Sequence, residues 1–205
     1  MCLRHALEMD RTDRIAQGKL ELANGYVNLE RANSDQNEQR RTFVDAAQAN
    51  FAEAATLNPR SPDPHLGLAR IYVYYAKNVG KAIAELHEAQ RLGFQLGPRE
   101  TEQEADGYRF RASVELSEAQ KFRGASRAME ERYLRMAQRD FTRARELYEP
   151  ILGFSNVNVA LHQVDDEDLT RQQLDDVLKK PPVKATKTKK AKKQSRPKWR
   201  LSRWQ

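Results

Sequence analysis

The side chains best suited to chemistry are few and scattered along the 205-residue chain. Its four histidines are His5, His65, His87 and His162, and only His65 and His87 fall on facing helices of one predicted hairpin. A zinc site needs at least three protein ligands and a set of groups that orient them, and this pair lacks a third ligand. We interpret both histidines as surface or packing residues and expect neither a metal nor a cofactor.

Two further groups have equally simple interpretations. The single cysteine, Cys2, excludes an internal disulfide, and no lipid-attachment signal precedes it, so it is interpreted as an unpaired terminal thiol. The acidic run 165–168 lacks the glycine and the distal glutamate of a calcium loop. Carboxylates are favourable at helix N-termini, so the run is predicted to be the solvated first turn before a helix. Because no phosphate loop, nucleophile elbow or dinucleotide fingerprint is present, the chain is predicted not to be an enzyme.

The basic residues are concentrated at the C-terminal end. Residues 181–205 hold ten Lys or Arg and no acidic residue, which leaves 26 basic and 29 acidic residues in 1–180 and a net charge of −3 there. Such a composition is predicted to be a disordered tail. The tail either solubilises the chain or contacts nucleic acid or an anionic membrane surface, since its cations neutralise phosphate and its indoles stack on bases or enter lipid interfaces. The candidate polyanion-binding residues are Lys187, Lys189, Lys190, Lys192, Lys193, Lys198, Trp199, Arg200, Arg203 and Trp204.

The elements that would position such groups are indicated by one pattern that occurs three times. A small Ala is followed four residues later by a bulky apolar residue and three residues after that by another Ala, which is helical spacing. The first two copies are 35 residues apart and the next two 55 apart, and a helical unit of about 34 residues indicates a stack of helical hairpins. The copies are Ala47, Phe51, Ala54; Ala82, Leu86, Ala89; and Ala137, Phe141, Ala144.

Apolar periodicity and breakers predict an all-α fold. Asp63 is predicted to be an N-cap with Pro64 as the first helical residue, and residues 151–163 are predicted to hold no more than a short helical turn. The predicted domains are a hairpin array over 1–163, a capping helix over 164–180 and the tail over 181–205. No membrane-spanning stretch or secretory signal is visible, which predicts a cytoplasmic protein. The predicted helices run from about 10–31, 40–57, 63–76, 82–92, 99–121, 126–149 and 168–180.

The segment 64–72, PHLGLARIY, followed by Ala82, Leu86 and Ala89, resembles a tetratricopeptide repeat. The resemblance extends over roughly residues 15–150 and implies a short α-solenoid of about three antiparallel hairpins, whose first helices line a concave face that binds a peptide or a helix. Gly67 stands near the place of an asparagine that one subfamily uses to hold a carboxylate terminus, so binding to chaperone tails is not expected. Asp106 also falls near this face. The resemblance places the partner-binding residues at Asn24, Leu66, Arg70, Val73, Tyr74 and Phe110.

Arg70 and Tyr74 are the most informative of these residues. They lie one helical turn apart on one helix, and Arg and Tyr are enriched at binding hot spots. The sequence therefore predicts a protein-interaction scaffold that uses this pair. Two alternatives stay open: an adaptor anchored to nucleic acid or membrane by the basic tail, and an accessory repeat segment of a larger protein. The oligomeric state is also open.

Overall fold

The computed structural model describes residues 13–35, 39–154 and 156–179, and this part of the chain is helical without any β-strand. The predicted all-α fold is therefore confirmed. Within this described part of the chain, no helix combines the length and the hydropathy needed to cross a bilayer. A 3₁₀ turn over Glu149–Ile151 follows the sixth helix. The α-helices are α1 (Arg14–Ser34), α2 (Gln39–Leu57), α3 (Asp63–Tyr74), α4 (Val79–Arg91), α5 (Pro98–Phe122), α6 (Arg127–Tyr148) and α7 (Val157–Lys179).

Helices that follow one another in sequence pair as antiparallel hairpins: α1 with α2, α3 with α4, and α5 with α6. Neighbouring hairpins also touch, α2 against α3 and α4 against α5, and α7 packs on α6. Within each hairpin the contacting residue numbers rise along one helix as they fall along the other. The contacts that show this are Asn28 with Asn50 and Arg31 with Phe43; His65 with Glu85 and Tyr72 with Lys81; Glu104 with Arg143, Arg111 with Asp140 and Phe122 with Tyr133.

The residues of the repeated pattern form the core of the second helix in each hairpin. All nine are buried, with exposed fractions of 0 or 1%. The small alanines allow the backbones of paired helices to approach, and the bulky residue between them fills the remaining space. The pattern read from sequence is therefore confirmed as the packing stripe of α2, α4 and α6.

The ring of Phe51 on α2 joins the first two hairpins. It packs between Gly25 of α1 and Gly67 of α3: a Cβ added at Gly25 would lie 2.5 Å from the ring, and one added at Gly67 would lie 2.6 Å from it. Tyr26 meets the same ring edge-on, with 5.0 Å between the centroids. Both glycines are needed for close approach rather than for backbone freedom, because any side chain would overlap the ring.

The helix ends differ from the prediction at α3. Asp63 is the first helical residue and Pro62 takes the N-cap position, so the predicted Asp63 cap is wrong; Asp63 instead hydrogen-bonds with the Ser61 hydroxyl over 3.4 Å. A carboxylate within the first turn still complements the helix dipole. At the other end of α3, Lys77 has a φ of +49°, the left-handed conformation that usually selects glycine after a helix.

The last helix begins at Val157, well before the predicted start at residue 168. Its first turns are held by buried Val157, Ala160 and Val164, which join the core of α5 and α6. The acidic run 165–168 therefore lies inside the helix and is not a solvated first turn. Three of its four carboxylates have partners there: Asp165 accepts from Arg145, Glu167 from Ser113, and Asp168 from Arg171.

Candidate functional site: a groove between α3, α5 and α7

An open groove of about 820 Å³ lies between α3, α5 and the start of α7. We call it the α3–α5 groove. Helix α3 contributes Arg70 and Tyr74, which lie one turn apart and face the same side. The third wall comes from Phe154 before α7 and from the first turns of that helix, including Val159 and Gln163. Helix α5 contributes one continuous face to the groove, made of Arg99, Glu102, Gln103, Asp106 and Arg109.

Asp106 has the most polar contacts among the groove residues, with Tyr74, Tyr148 and Arg109. Its Oδ2 accepts a hydrogen bond of 2.9 Å from the Tyr74 hydroxyl, and its Oδ1 accepts one of 2.6 Å from the Tyr148 hydroxyl. The guanidinium of Arg109 lies 3.6 Å from Oδ1. One side chain of α5 therefore ties α3 to the end of α6, and its negative charge is satisfied within the protein.

Both tyrosine hydroxyls donate to the same carboxylate. Burial, followed by the charge of Asp106, raises the pKa of Tyr74 and of Tyr148 above the ordinary value of a phenol. Loss of either proton would place a second negative charge beside a carboxylate in a poorly solvated position, and this keeps both hydroxyls protonated. The arrangement holds the Tyr74 ring in place and does not prepare a nucleophile or a base.

Phe110 supports Tyr74 from behind. The two rings meet edge-on with 6.3 Å between their centroids. The guanidinium of Arg109 lies 4.4 Å from the Phe110 centroid, and the ammonium of Lys77 lies 5.8 Å from it, both within the range of cation–π attraction. Phe110, predicted to contact a partner, is half-buried in these contacts and does not line the groove.

The other predicted partner-binding residues divide into three groups. Arg70, Tyr74 and Asp106 line the α3–α5 groove together. Asn24 and Leu66 are half-buried and lie outside its lining. Val73 is fully buried and faces Gly107 of α5, so its predicted contact with a partner is wrong. Val73 lies on the side of α3 that packs against α5, whereas the next residue, Tyr74, is exposed.

Sequence reasoning missed most of the α5 face and the whole third wall. The signal for the α5 face was present, because Arg99, Glu102, Gln103, Asp106 and Arg109 recur at three- and four-residue intervals. Phe154 and Val159 could be found only by folding the chain, since they lie about 80 residues after α3. No local pattern predicts that the start of α7 returns to α3.

A pair of buried carboxylates, Asp140 and Glu115, lies on the other side of α5, between α5 and α6. Asp140 is almost fully buried and accepts a hydrogen bond of 2.8 Å from Arg111. Glu115 is also buried, and its Oε2 has no hydrogen-bond partner among the described residues. Burial, then the charge of Asp140, raises the pKa of Glu115 to about 7, against the opposing charges of Arg111 and Arg139.

The histidines do not form a metal site among the described residues. His65 donates from Nδ1 to Glu85 over 2.7 Å, which links α3 to α4, while His87 is exposed. Within residues 13–35, 39–154 and 156–179, no three His, Cys, Asp or Glu side chains are grouped to hold a metal ion. Cys2 and the predicted polyanion-binding residues lie outside the described residues. Comparison of the chain with protein-family models, with curated proteins and with solved structures gave no significant match.

Proposed function

We propose that this chain is a non-enzymatic interaction scaffold of tetratricopeptide-like hairpins that binds a peptide or helix of a partner protein in the α3–α5 groove. The observation that carries the proposal is the groove itself. It is concave and open, and it places exposed Tyr and Arg side chains beside the exposed apolar side chains of Phe154 and Val159. Such residues supply much of the binding energy at protein interfaces.

The way in which Tyr74 is held supports this function. The residue remains 37% exposed although its hydroxyl is hydrogen-bonded to Asp106 and its ring meets that of Phe110 edge-on. An aromatic side chain fixed before the partner arrives loses little conformational entropy on binding. The entropy lost in fixing the Tyr74 side chain is therefore lost during folding and not on binding.

The test is selection from a displayed library of random peptides on the immobilised full chain, followed by affinity measurement with synthetic peptides. The groove variant combines Arg70→Glu with Val159→Asp, one substitution on each wall. Val159 is 57% exposed and Arg70 makes no ion pair within the described part of the chain, so neither change removes a core contact. The matched control combines Arg135→Glu with Val114→Asp, which are exposed residues outside the groove.

Enriched peptides should bind the control as they bind the wild type and should lose about tenfold or more in affinity for the groove variant, the loss that follows from removing one strong contact. Circular dichroism checks that both variants stay folded. A library that yields no binding peptide, or peptides that bind the groove variant as well as the wild type, would contradict the proposed function.

A further inference from the structure

The charges of the α3–α5 groove do not cancel. Three arginines, Arg70, Arg99 and Arg109, face two carboxylates, Glu102 and Asp106. Asp106 is already engaged by Arg109 and by two tyrosine hydroxyls. What is left open to a ligand is Arg70 and Arg99 against Glu102, an excess of one positive charge.

Arg70 and Arg99 line the same groove, and neither has an acidic partner among the described residues. Neither makes an ion pair or a hydrogen bond with another described residue. Both lie near Tyr26 of α1, where their charges lower its pKa against the stronger effects of burial and of the Asp63 charge, and both line the groove. Two guanidinium groups in one concave site repel each other, and an anion bound between them would relieve that repulsion.

The floor of the groove adds to the positive potential. Gln103 is only 6% exposed, and its Nε2 donor has no acceptor among the described residues. The Nε of Arg109 is in the same situation. Buried donors are nearly always paired in proteins, and here the positive ends of two unpaired N–H groups lie beneath a site lined by arginines.

The opposite wall carries two exposed apolar side chains among polar neighbours. Phe154 and Val159 expose 39% and 57% of their surfaces beside this cationic side. A fitting ligand therefore presents one negative group and one large apolar group close together. Because the excess charge is a single unit and Glu102 stands in the same groove, a carboxylate fits better than a phosphate dianion, and arginine pairs with carboxylates in bidentate geometry.

We propose, building on the function proposed above, that the partner of the α3–α5 groove is an acidic segment in which an Asp or Glu adjoins a large apolar residue. Arg70 and Arg99 hold the carboxylate, and Phe154 with Val159 holds the apolar side chain. Glu102 opposes the bound carboxylate and limits its affinity.

The experiment uses the peptides enriched by the full chain, each also synthesised with its acidic residues replaced by the corresponding amides. The protein variants are Arg99→Ala, Glu102→Gln and, as a control, Arg135→Ala, an exposed arginine outside the groove. We expect enriched peptides to carry an acidic residue beside an apolar one, and the amide peptides to bind about tenfold more weakly, as loss of a charged partner at an interface implies. Arg99→Ala should weaken binding of the acidic peptides only, Glu102→Gln should strengthen it, and Arg135→Ala should change neither.

The selected peptides could instead be neutral or basic and still lose affinity for the Arg70→Glu, Val159→Asp variant. That result would contradict the proposal of an acidic partner while leaving the groove's proposed function intact. Acidic peptides that bind Arg99→Ala as well as the wild type would overturn it too. A phosphoserine version bound more tightly than the glutamate version would show that the site selects phosphate, which is the third contradicting result.

Discussion

The hydroxyl of Tyr148, at the end of α6, donates a hydrogen bond of 2.6 Å to Asp106 in the middle of α5. Tyr148 is fully buried, whereas Tyr74, which donates to the other oxygen of the same carboxylate, is partly exposed. Asp106 thus has one oxygen on the buried side and one on the side of the groove. The two tyrosines should differ in what they contribute to stability and to binding.

The first prediction separates these two contributions. Tyr148→Phe should lower the free energy of unfolding by about 1.5–3 kcal/mol, the range for a hydrogen bond to a charged group. Tyr74→Phe should cost less, about 0.5–1.5 kcal/mol, because water can replace the lost donor. Urea denaturation of both single variants and of the double variant measures these values. Equal losses of unfolding free energy in the two single variants would contradict this difference between the tyrosines. A loss in the double variant that differs from the sum of the single losses would show that the two hydroxyls share one acceptor.

The second prediction concerns the space around Phe51. Gly67→Ala should destabilise the fold by about 1–3 kcal/mol, because the new methyl group overlaps a ring that Gly25 confines from the other side. Gly80→Ala is the matched control: the atom nearest to an added Cβ is 3.7 Å away, so no overlap arises and stability should change by less than about 0.5 kcal/mol.

Phe51→Leu offers a check on the cause in the same denaturation experiment. If the overlap is responsible, Gly67→Ala should cost less in the Phe51→Leu background than in the wild type. If Gly67→Ala destabilises both backgrounds equally, overlap with the Phe51 ring is not the cause of the destabilisation.

The third prediction concerns Lys77, whose φ of +49° follows the end of α3. Left-handed backbone costs a residue with a Cβ about 1–2 kcal/mol. Lys77→Gly removes that cost and also the cation–π contact with Phe110, worth about 0.5–1 kcal/mol at an exposed site. The net result should be a small gain in thermal stability. Lys77→Ala keeps the strain and loses the contact, so its Tm should fall below that of the wild type; a Tm above it would contradict this account.

The fourth prediction is a pH dependence that comes from Glu115. Its pKa of about 7 in the folded protein exceeds the ordinary value of 4.5, so the folded state binds the proton more tightly than the unfolded state. Its contribution to stability is complete below pH 4.5 and is lost as the pH rises to about 7. Glu115→Gln cannot titrate. The stability of this variant relative to the wild type should therefore increase between these pH values and then level off, as denaturation at several pH values would show. A difference that does not change with pH would contradict the prediction.

The helices could be predicted from the sequence because their signals are local. The stripe of Ala47, Phe51 and Ala54 requires only a period of 3.6 residues, and each copy of it is buried as predicted. The start of α7 was misplaced because the acidic run 165–168 was interpreted as a solvated first turn. In the structure the run lies within α7, where Ser113 of α5 and Arg145 of α6 bind two of its carboxylates and Arg171, one turn further along α7, binds a third.

The groove could be predicted only in part. Arg70 and Tyr74 share a helix, so their common face follows from their spacing. The Asp106 contacts join residues 32 and 42 positions apart in sequence, and their geometry depends on how the hairpins pack. The burial of Val73 has the same origin, because periodicity shows which residues share a face of α3 but does not show which neighbouring helix covers that face.

Phe51 has a consequence for anyone who would shorten or graft this chain. Its ring belongs to α2 in sequence but is enclosed equally by α1 and α3. A cut in the loop between α2 and α3 would leave one face of that ring without its cover, although the loop is the obvious boundary between two hairpins. The smallest transferable module at this end of the molecule is therefore three helices long. A chimera joined after α3 should keep its solubility better than one joined after α2.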